Sequence, residues 1–108
     1  MLDEQEFKIR ADRSLEQLYN SLATASDRHA FEADFGGALI IEFEDPPAKF
    51  VVSPNSPVRQ IWVSAQSQSF KLDWDPDRQT FVLPASGQTL KDLLERAISA
   101  QIGEEVTL

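Results

Sequence analysis

A chain of 108 residues with 42% hydrophobic and 26% charged side chains has the size and composition of one globular domain with one modest core. No apolar run approaches the roughly 20 residues of a membrane-spanning helix, and the acidic start MLDEQEF lacks the basic and apolar regions of a signal peptide. Without cysteine the chain can form no disulfide and offers no thiolate nucleophile or ligand. We therefore expect a single soluble, cytoplasmic domain, residues 1–108, that leaves thiol chemistry to a partner.

The net charge of −8 is unevenly distributed along the chain. Residues 1–45 contain 11 of the 18 acidic side chains and four basic ones, whereas residues 46–108 contain seven acidic and six basic side chains. Such a field repels nucleic acids and anionic membranes and attracts cations and basic protein surfaces. We therefore expect no nucleic-acid or membrane partner. An acidic surface that only keeps the protein soluble is the alternative interpretation.

The first predicted element is an amphipathic helix over residues 3–25. Its apolar residues follow one another at intervals of four, four, three and four, which places them on one face: Phe7, Ala11, Leu15, Leu18 and Leu22. The polar stretch SDRH ends this pattern. From Phe31 onwards apolar residues recur at every second position, which is typical of a strand with one buried face.

Six strands are predicted in the middle of the chain. The first two form a hairpin, because Gly36-Gly37 is a good two-residue connection for turns that require positive φ. EDPPA is predicted as a turn and PNSP as a loop, because a proline cannot donate a hydrogen bond to a sheet. The remaining strands are predicted over KFVVS, VRQIWVSA, residues 69–74 and QTFVL. Short connections without intervening helices favour one antiparallel meander.

A second helix ends the predicted order. Thr89 can cap its start, Asp92 lies near the positive end of its dipole, and Gly103 is suited to end it. The buried stripe consists of Leu90, Leu93, Leu94, Ala97 and Ile98. The order αββββββα, with two helices on one face of a single antiparallel sheet, predicts an α+β two-layer sandwich.

Trp62 is the most informative residue of the stretch VRQIWVSA. Alternation places Ile61 and Val63 towards the core and Trp62 towards water, because the reverse costs roughly a few kcal/mol in buried polar and exposed apolar groups. By the same parity one outer face carries Glu32, Asp34, Glu42, Glu44, Gln60, Trp62 and Lys71. An exposed tryptophan either lies flat on its neighbours or anchors a partner.

Signatures of metal-dependent or nucleophilic enzymes are weak. DWDPDR resembles the start of a calcium loop, but Arg78 and Pro84 stand where that loop needs glycine and glutamate, so we predict a turn. His29, the only histidine, is expected to be a solvated residue before the first strand. Ser86-Gly87 matches no nucleophile elbow. The carboxylates suit hard cations such as iron, but no spacing defines a closed site, and we predict no catalytic residue.

Five stretches carry a resemblance that covers nearly the whole chain in the same order. They are GGALIIEFED (36–45), PVRQIWVSA (57–65), FKLDW (70–74), SGQTLKDLLERA (86–97) and, more weakly, EFKIRAD (6–12). The most specific part is a P-x-x-Q-I-W segment that follows a G-G-x-L-x-I-x-F-E strand. Together these stretches resemble the frataxin family, specifically its bacterial CyaY type. The family fold is also two helices over one antiparallel sheet.

The resemblance implies a non-catalytic role in iron–sulfur cluster assembly. Frataxins bind iron weakly through an acidic ridge on the first helix and first strand, and they dock on the cysteine desulfurase and its scaffold protein to regulate sulfur transfer. The iron-binding positions implied for this chain are Asp3, Glu4, Asp12, Glu16, Asp27, Glu32 and Asp34. The implied partner-binding positions are Gln60, Ile61, Trp62 and Lys71. The implied state is a cytoplasmic monomer, with iron-driven oligomers as an alternative.

The second half of the first helix departs from the family pattern. Bacterial members usually crowd acidic residues there and in the following loop, but this chain has LYNSLATASDRHA, in which Asp27 is the only acid. Fewer close carboxylates predict weaker iron binding, or binding moved towards the strand edges. Two alternatives stay open: a ferrous iron oxidase or iron store, as has been proposed for the family, and an acidic protein-interaction module without iron, which the depleted helix supports.

Overall fold

The computed structural model describes residues 2–44 and 46–108, and in that part of the chain two helices flank six consecutive strands. The elements are α1 (Glu4–Ser26), β1 (Glu32–Gly36), β2 (Ala38–Glu44), β3 (Pro47–Asn55), a 3-10 turn (Ser56–Val58), β4 (Gln60–Ala65), β5 (Gln68–Asp75), β6 (Thr80–Val82) and α2 (Leu90–Ile102). The strands form one sheet in chain order, and every neighbouring pair is antiparallel. The predicted order αββββββα and the two-layer sandwich are confirmed.

Helix α1 has the predicted apolar stripe and a carboxylate cap. The Asp3 side chain accepts a hydrogen bond from the Glu6 N–H at 2.8 Å, which satisfies one of the unpaired donors of the first turn. The five predicted apolar residues are buried, and Ala25 extends the stripe to the end of the helix. Packing of this stripe stabilises the helix more than intrinsic propensity does.

Helix α2 begins and ends as its sequence predicts. The Thr89 hydroxyl accepts a hydrogen bond from the Asp92 N–H at 3.1 Å, and the Asp92 carboxylate accepts one from the Thr89 N–H at 3.4 Å. This reciprocal pair is a capping box. At the other end Gly103 adopts φ 71°, a left-handed conformation that costs glycine little.

The hairpin between β1 and β2 is shifted by one residue from the predicted turn. Gly36 lies opposite Ala38, so Gly37, with φ 86°, is the centre of the bend. The predicted two-residue connection Gly36-Gly37 is therefore wrong. The observed register pairs Phe35 with Leu39, which places both apolar side chains on the core side of the sheet, and a one-residue slip would separate them.

Two prolines that were predicted to lie in a turn and a loop belong to β3. Pro47 is the first residue of the strand and lies opposite Glu44, and Pro54 lies opposite Ile61. Beyond Val52 the strand pairs only with β4, so Pro54 stands at a local edge that tolerates a residue without an N–H. Of the predicted EDPPA turn, Asp45 lies outside the described residues.

Strand β4 is shorter than the predicted VRQIWVSA. Val58 belongs to the 3-10 turn, and Arg59 adopts φ 55°, which breaks the extended backbone before Gln60. The alternation holds from there onwards, with Ile61 and Val63 buried. The strand therefore presents its outward residues directly after a fixed turn.

One core joins the inner face of the sheet to both helices. The rings of Phe7 on α1 and Phe81 on β6 meet edge to face with centroids 5.8 Å apart. After α2 the chain returns to this core, since Val106 is buried and its N–H donates to the Ser99 hydroxyl at 2.9 Å. The sequence pattern does not indicate this last contact.

Candidate partner-docking surface

Trp62 lies on the outer face of the sheet, away from the core. Its side chain is 38% exposed, whereas its neighbours Ile61 and Val63 are 0% and 1% exposed. This difference follows from the period of two in a strand, and it confirms the orientation derived from alternation. Strand β4 therefore holds a large apolar ring at the surface while its alternate residues anchor it in the core.

The indole of Trp62 is fixed by a chain of hydrogen bonds to its neighbours. Its Nε1–H donates to Gln60 Oε1 at 3.0 Å, and Gln60 Nε2 in turn donates to Asp73 Oδ1 at 3.0 Å. Gln60 on β4 and Asp73 on β5 are direct partners in the sheet register. The three side chains thus form one line across two adjacent strands.

Lys71 completes the surroundings of the tryptophan ring. It lies directly opposite Trp62 in the β4–β5 register, and its Nζ stands 4.8 Å from the ring centroid. A cation over an indole face contributes about 0.5–1 kcal/mol at an exposed site. We call Gln60, Trp62, Lys71 and Asp73 the outer-strand cluster.

Three of the four predicted partner-binding residues belong to the outer-strand cluster, and Ile61 does not. Its side chain is fully buried under the opposite face of the sheet. A partner on the outer face cannot contact that side chain without disrupting the core. Ile61 therefore supports β4 from beneath, whereas Trp62 and Lys71 are exposed on the predicted surface and Gln60 is half-buried there.

Asp73 is a member of the cluster that the sequence pattern did not single out: it lies within the predicted strand 69–74, but a role was considered for it only as part of DWDPDR. The turn itself is present at Pro76–Gln79, where Asp75 Oδ1 accepts hydrogen bonds from the N–H groups of Asp77 and Arg78. The signal that would have found Asp73 is the tight β4–β5 hairpin, which sets Gln60 and Asp73 opposite each other.

The acidic residues of the first two strands form a second exposed feature. Glu32 lies directly opposite Glu42, whose other neighbour is Lys49 on β3. Glu32, Asp34, Glu42 and Glu44 are all exposed. Like charges directly opposite each other destabilise a sheet. A cation or a basic partner surface placed here would therefore reduce the repulsion between these carboxylates.

The predicted iron-binding residues are spread along the molecule rather than gathered at one point. Asp27 and Glu32 line a shallow groove of about 510 Å³ that also contains Glu42 and Glu44. Asp3 lies at the other end of α1, a 23-residue helix about 35 Å long, and its carboxylate already caps that helix.

The remaining predicted ligands, Glu4, Asp12 and Glu16, are exposed on α1. Within residues 2–44 and 46–108, no group of three or more His, Cys, Asp or Glu side chains is arranged to hold a metal ion. The carboxylates of α1 thus offer a dispersed negative surface and no closed coordination shell in this part of the chain.

His29 is covered rather than solvated, contrary to the prediction. Its side chain is 17% exposed, its ring stacks on Phe31, and its Nδ1 lies 3.8 Å from a carboxylate oxygen of Glu104. The chain turns from α1 into β1 at this point, which brings the ring against the edge of the core. Packing on Phe31 accounts for its position, and the ring lines the same groove as Asp27, Glu32, Glu42 and Glu44.

A single antiparallel sheet with two helices on one face, one from each end of the chain, defines the structural class. The family model described as frataxin-like domain matches residues 1–104. The solved frataxin from Psychromonas ingrahamii superimposes with a TM-score of 0.78 at 23% identity, covering 98% of this chain and 97% of that one. This likeness concerns the fold.

Two curated relatives bear the name iron-sulfur cluster assembly protein CyaY. The protein from Azotobacter vinelandii is 33% identical over 92 residues, which are 85% of this chain and 83% of the relative. That from Pseudomonas fluorescens is 29% identical over 104 residues, 96% of this chain and 93% of the relative. The chain described above belongs to the frataxin family and, within it, to the CyaY type.

Neither helix of the described residues is long and apolar enough to cross a membrane. Helix α1, the longer of the two, carries charged residues beside its buried stripe in its first half and uncharged polar residues such as Asn20 and Thr24 in its second half. Its polar face lies in contact with solvent rather than with a second layer of protein.

Proposed function

We propose that this chain is a non-catalytic, cytoplasmic adaptor of iron–sulfur cluster assembly. In this role it docks through the outer-strand cluster on a cysteine desulfurase and its scaffold protein and modulates sulfur transfer or iron delivery. The observation that carries the proposal is the exposed Trp62, held in one orientation by Gln60 and Lys71. The family membership of the chain and the names of its relatives support the assembly pathway.

The physical argument for docking rests on the state of Trp62. Tryptophan is among the residues that most often dominate binding energy, because a large rigid ring fills a partner pocket at low entropic cost. Here the ring is ordered before any partner arrives, so little conformational freedom is lost on binding. A lone aromatic on a flexible loop would lack this advantage.

The charge and composition of the chain fit the same role. Because the protein contains no cysteine, any persulfide in the reaction belongs to the partner. A net charge of −8 concentrated near α1, β1 and β2 attracts a basic partner surface and accelerates association at low salt. The acidic region thereby speeds the first encounter with the partner, and Trp62 stabilises the complex once it has formed.

The test of docking is the binding of Trp62→Ala to a purified desulfurase, measured by calorimetry. We expect affinity to fall at least tenfold, since loss of a central tryptophan anchor costs about 2 kcal/mol or more. Ile9→Ala is the matched control, because Ile9 is an exposed apolar residue, 53% accessible, on α1. Wild-type affinity of a folded Trp62→Ala protein would remove Trp62 as the anchor.

Iron binding forms the second part of the proposal, as weak and superficial binding at the exposed carboxylates. Anaerobic titration with ferrous iron, followed by NMR, should perturb signals around Asp12, Glu16, Glu32 and Asp34. The dispersed arrangement of these residues favours the alternative of an adaptor without iron. A flat response at millimolar iron would select that alternative and leave the docking proposal intact.

A further inference from the structure

The Gln60 amide is held between one group that can only donate a hydrogen bond and one that, when ionised, can only accept. The indole Nε1–H of Trp62 is a donor, and the carboxylate of Asp73 is an acceptor. Only one orientation of the amide satisfies both neighbours, with its oxygen towards Trp62 and its nitrogen towards Asp73. The opposite orientation sets donor against donor and acceptor against acceptor.

We infer that Asp73 is a positioning residue of the docking surface, which orients Trp62 through Gln60, and that the partner site for Trp62 is apolar. The inference rests on the proposed docking function. Asp73 is half-buried and lies two residues along β5 from Lys71, on the same face of the sheet. The Asp73 carboxylate therefore contacts Gln60 on the side away from the Trp62 ring. It influences the orientation of the ring only through the Gln60 amide.

The chemistry required of the partner follows from which parts of the ring remain free. The single hydrogen-bond donor of the indole is already used by Gln60, and the Lys71 ammonium lies over the ring. The partner consequently needs no acceptor for the indole N–H. A recess lined by aliphatic or aromatic side chains, closing on the exposed part of the ring, matches this surface, whereas a polar recess would leave its own groups unpaired.

The positioning role can be tested in the free protein by NMR. The two tryptophans give two indole N–H signals, and Trp62→Phe identifies the signal of Trp62 by removing it. In both Asp73→Ala and Gln60→Ala we expect that signal to move towards the position of a water-exposed indole and to exchange faster with water. Asp77→Ala removes one nearby exposed charge as a control and should leave the signal unchanged.

Rescue by a conservative variant separates the acceptor from the charge. Asp73→Asn retains a carbonyl oxygen that can accept from Gln60 Nε2, so its Trp62 signal should stay near that of the wild type. An Asp73→Asn spectrum that matches Asp73→Ala would overturn the role of Asp73 as an acceptor. An unmoved Trp62 signal in a folded Asp73→Ala protein would overturn the positioning role itself.

A double-mutant cycle tests the same role in the complex with the desulfurase. Asp73→Ala should weaken binding about three- to tenfold, the range given by the net contribution of one hydrogen bond. In the Trp62→Phe background, which lacks the indole N–H, the same substitution should have no further effect. Equal weakening in both backgrounds would show direct contact between Asp73 and the partner and contradict the inference.

Trp62→Phe alone reports on the chemistry of the partner site. It should bind about three- to tenfold more weakly than the wild type, as Asp73→Ala does, since it keeps an aromatic ring for the partner and loses only the hydrogen bond to Gln60 that orients the ring. A loss as large as that of Trp62→Ala would mean that the partner site is polar. If Trp62→Ala itself binds normally, the docking proposal fails, while the NMR result still decides whether Asp73 orients the ring.

Discussion

Glu32 and Glu42 face each other directly across β1 and β2. Glu42 also faces Lys49 on its other side, whereas Glu32, on the edge strand, has Glu42 as its only cross-strand neighbour among the described residues. The repulsion is therefore best removed at Glu32, where the substitution leaves the favourable pairing of Glu42 with Lys49 intact. The same repulsion predicts that added salt or divalent cations stabilise the wild-type protein.

Glu32→Gln should raise the free energy of unfolding by about 0.2–1 kcal/mol at low ionic strength, because it removes one member of a like-charge pair. Urea denaturation measures the change. At 1 M salt, where the Debye length is about 3 Å, the gain should largely vanish. Glu105→Gln, at an exposed position after α2, is the control for net charge. An equal gain in both variants would point to overall charge instead of this pair.

Ser67→Gly should stabilise the protein by about 0.5–1 kcal/mol. Gln66 and Ser67 form the two-residue turn between β4 and β5 with φ values of 51° and 63°. This turn requires positive φ at both positions, where a side chain is strained and glycine is not. Thermal denaturation measures the effect. Ser69→Gly, within β5, should destabilise instead, and stabilisation by both changes would refute the conformational explanation.

Thr89→Ala should lower the free energy of unfolding by about 1 kcal/mol, because it removes the side chain that accepts from the Asp92 N–H. Chemical denaturation checks the value. Lys91→Ala, at an exposed position in the first turn of α2, serves as the control and should change stability by less than about 0.5 kcal/mol. Similar losses in the two variants would argue against a specific role of the cap.

Val106→Ala should destabilise the protein by about 1–3 kcal/mol. Val106 is 3% exposed, so the change removes two buried methyl groups and leaves a cavity between the tail and the core. The neighbouring Thr107 is exposed, and Thr107→Ala should have little effect on the denaturation midpoint. If both variants unfold like the wild type, the tail contributes nothing to stability.

Most of the fold could be predicted because its signals are local. The apolar period of α1, the cap residues of α2 and the alternation in β4 each depend on a few neighbouring residues. The two prolines of β3 were misplaced because proline cannot donate a hydrogen bond to a sheet, and it was therefore assumed to lie outside any strand. That assumption holds only where a strand has partners on both sides. Pro54 has one, which only the register reveals.

The candidate site was predicted less completely, for two physical reasons. Asp73 reaches Trp62 through the β4–β5 register, and the turn that sets this register, Gln66-Ser67, lacks the glycine or asparagine that usually marks it. The carboxylates of α1, in contrast, were recognised as a class, but their separation along a helix of about 35 Å is a three-dimensional property. Acidic residues that belong to one helix in the sequence can therefore lie too far apart to bind one metal ion.

The two edges of the sheet limit how any protein can bind here. At one edge β1 has only five residues, with Glu32 and Asp34 exposed, and at the other β6 has three and is followed by a bridge between Val82 and Thr89. Short, charged or covered edges offer few free backbone groups for an added strand. A partner that docks on the outer-strand cluster, as proposed, would then read side chains on the broad face of the sheet and would be selected by shape and charge rather than by backbone pairing.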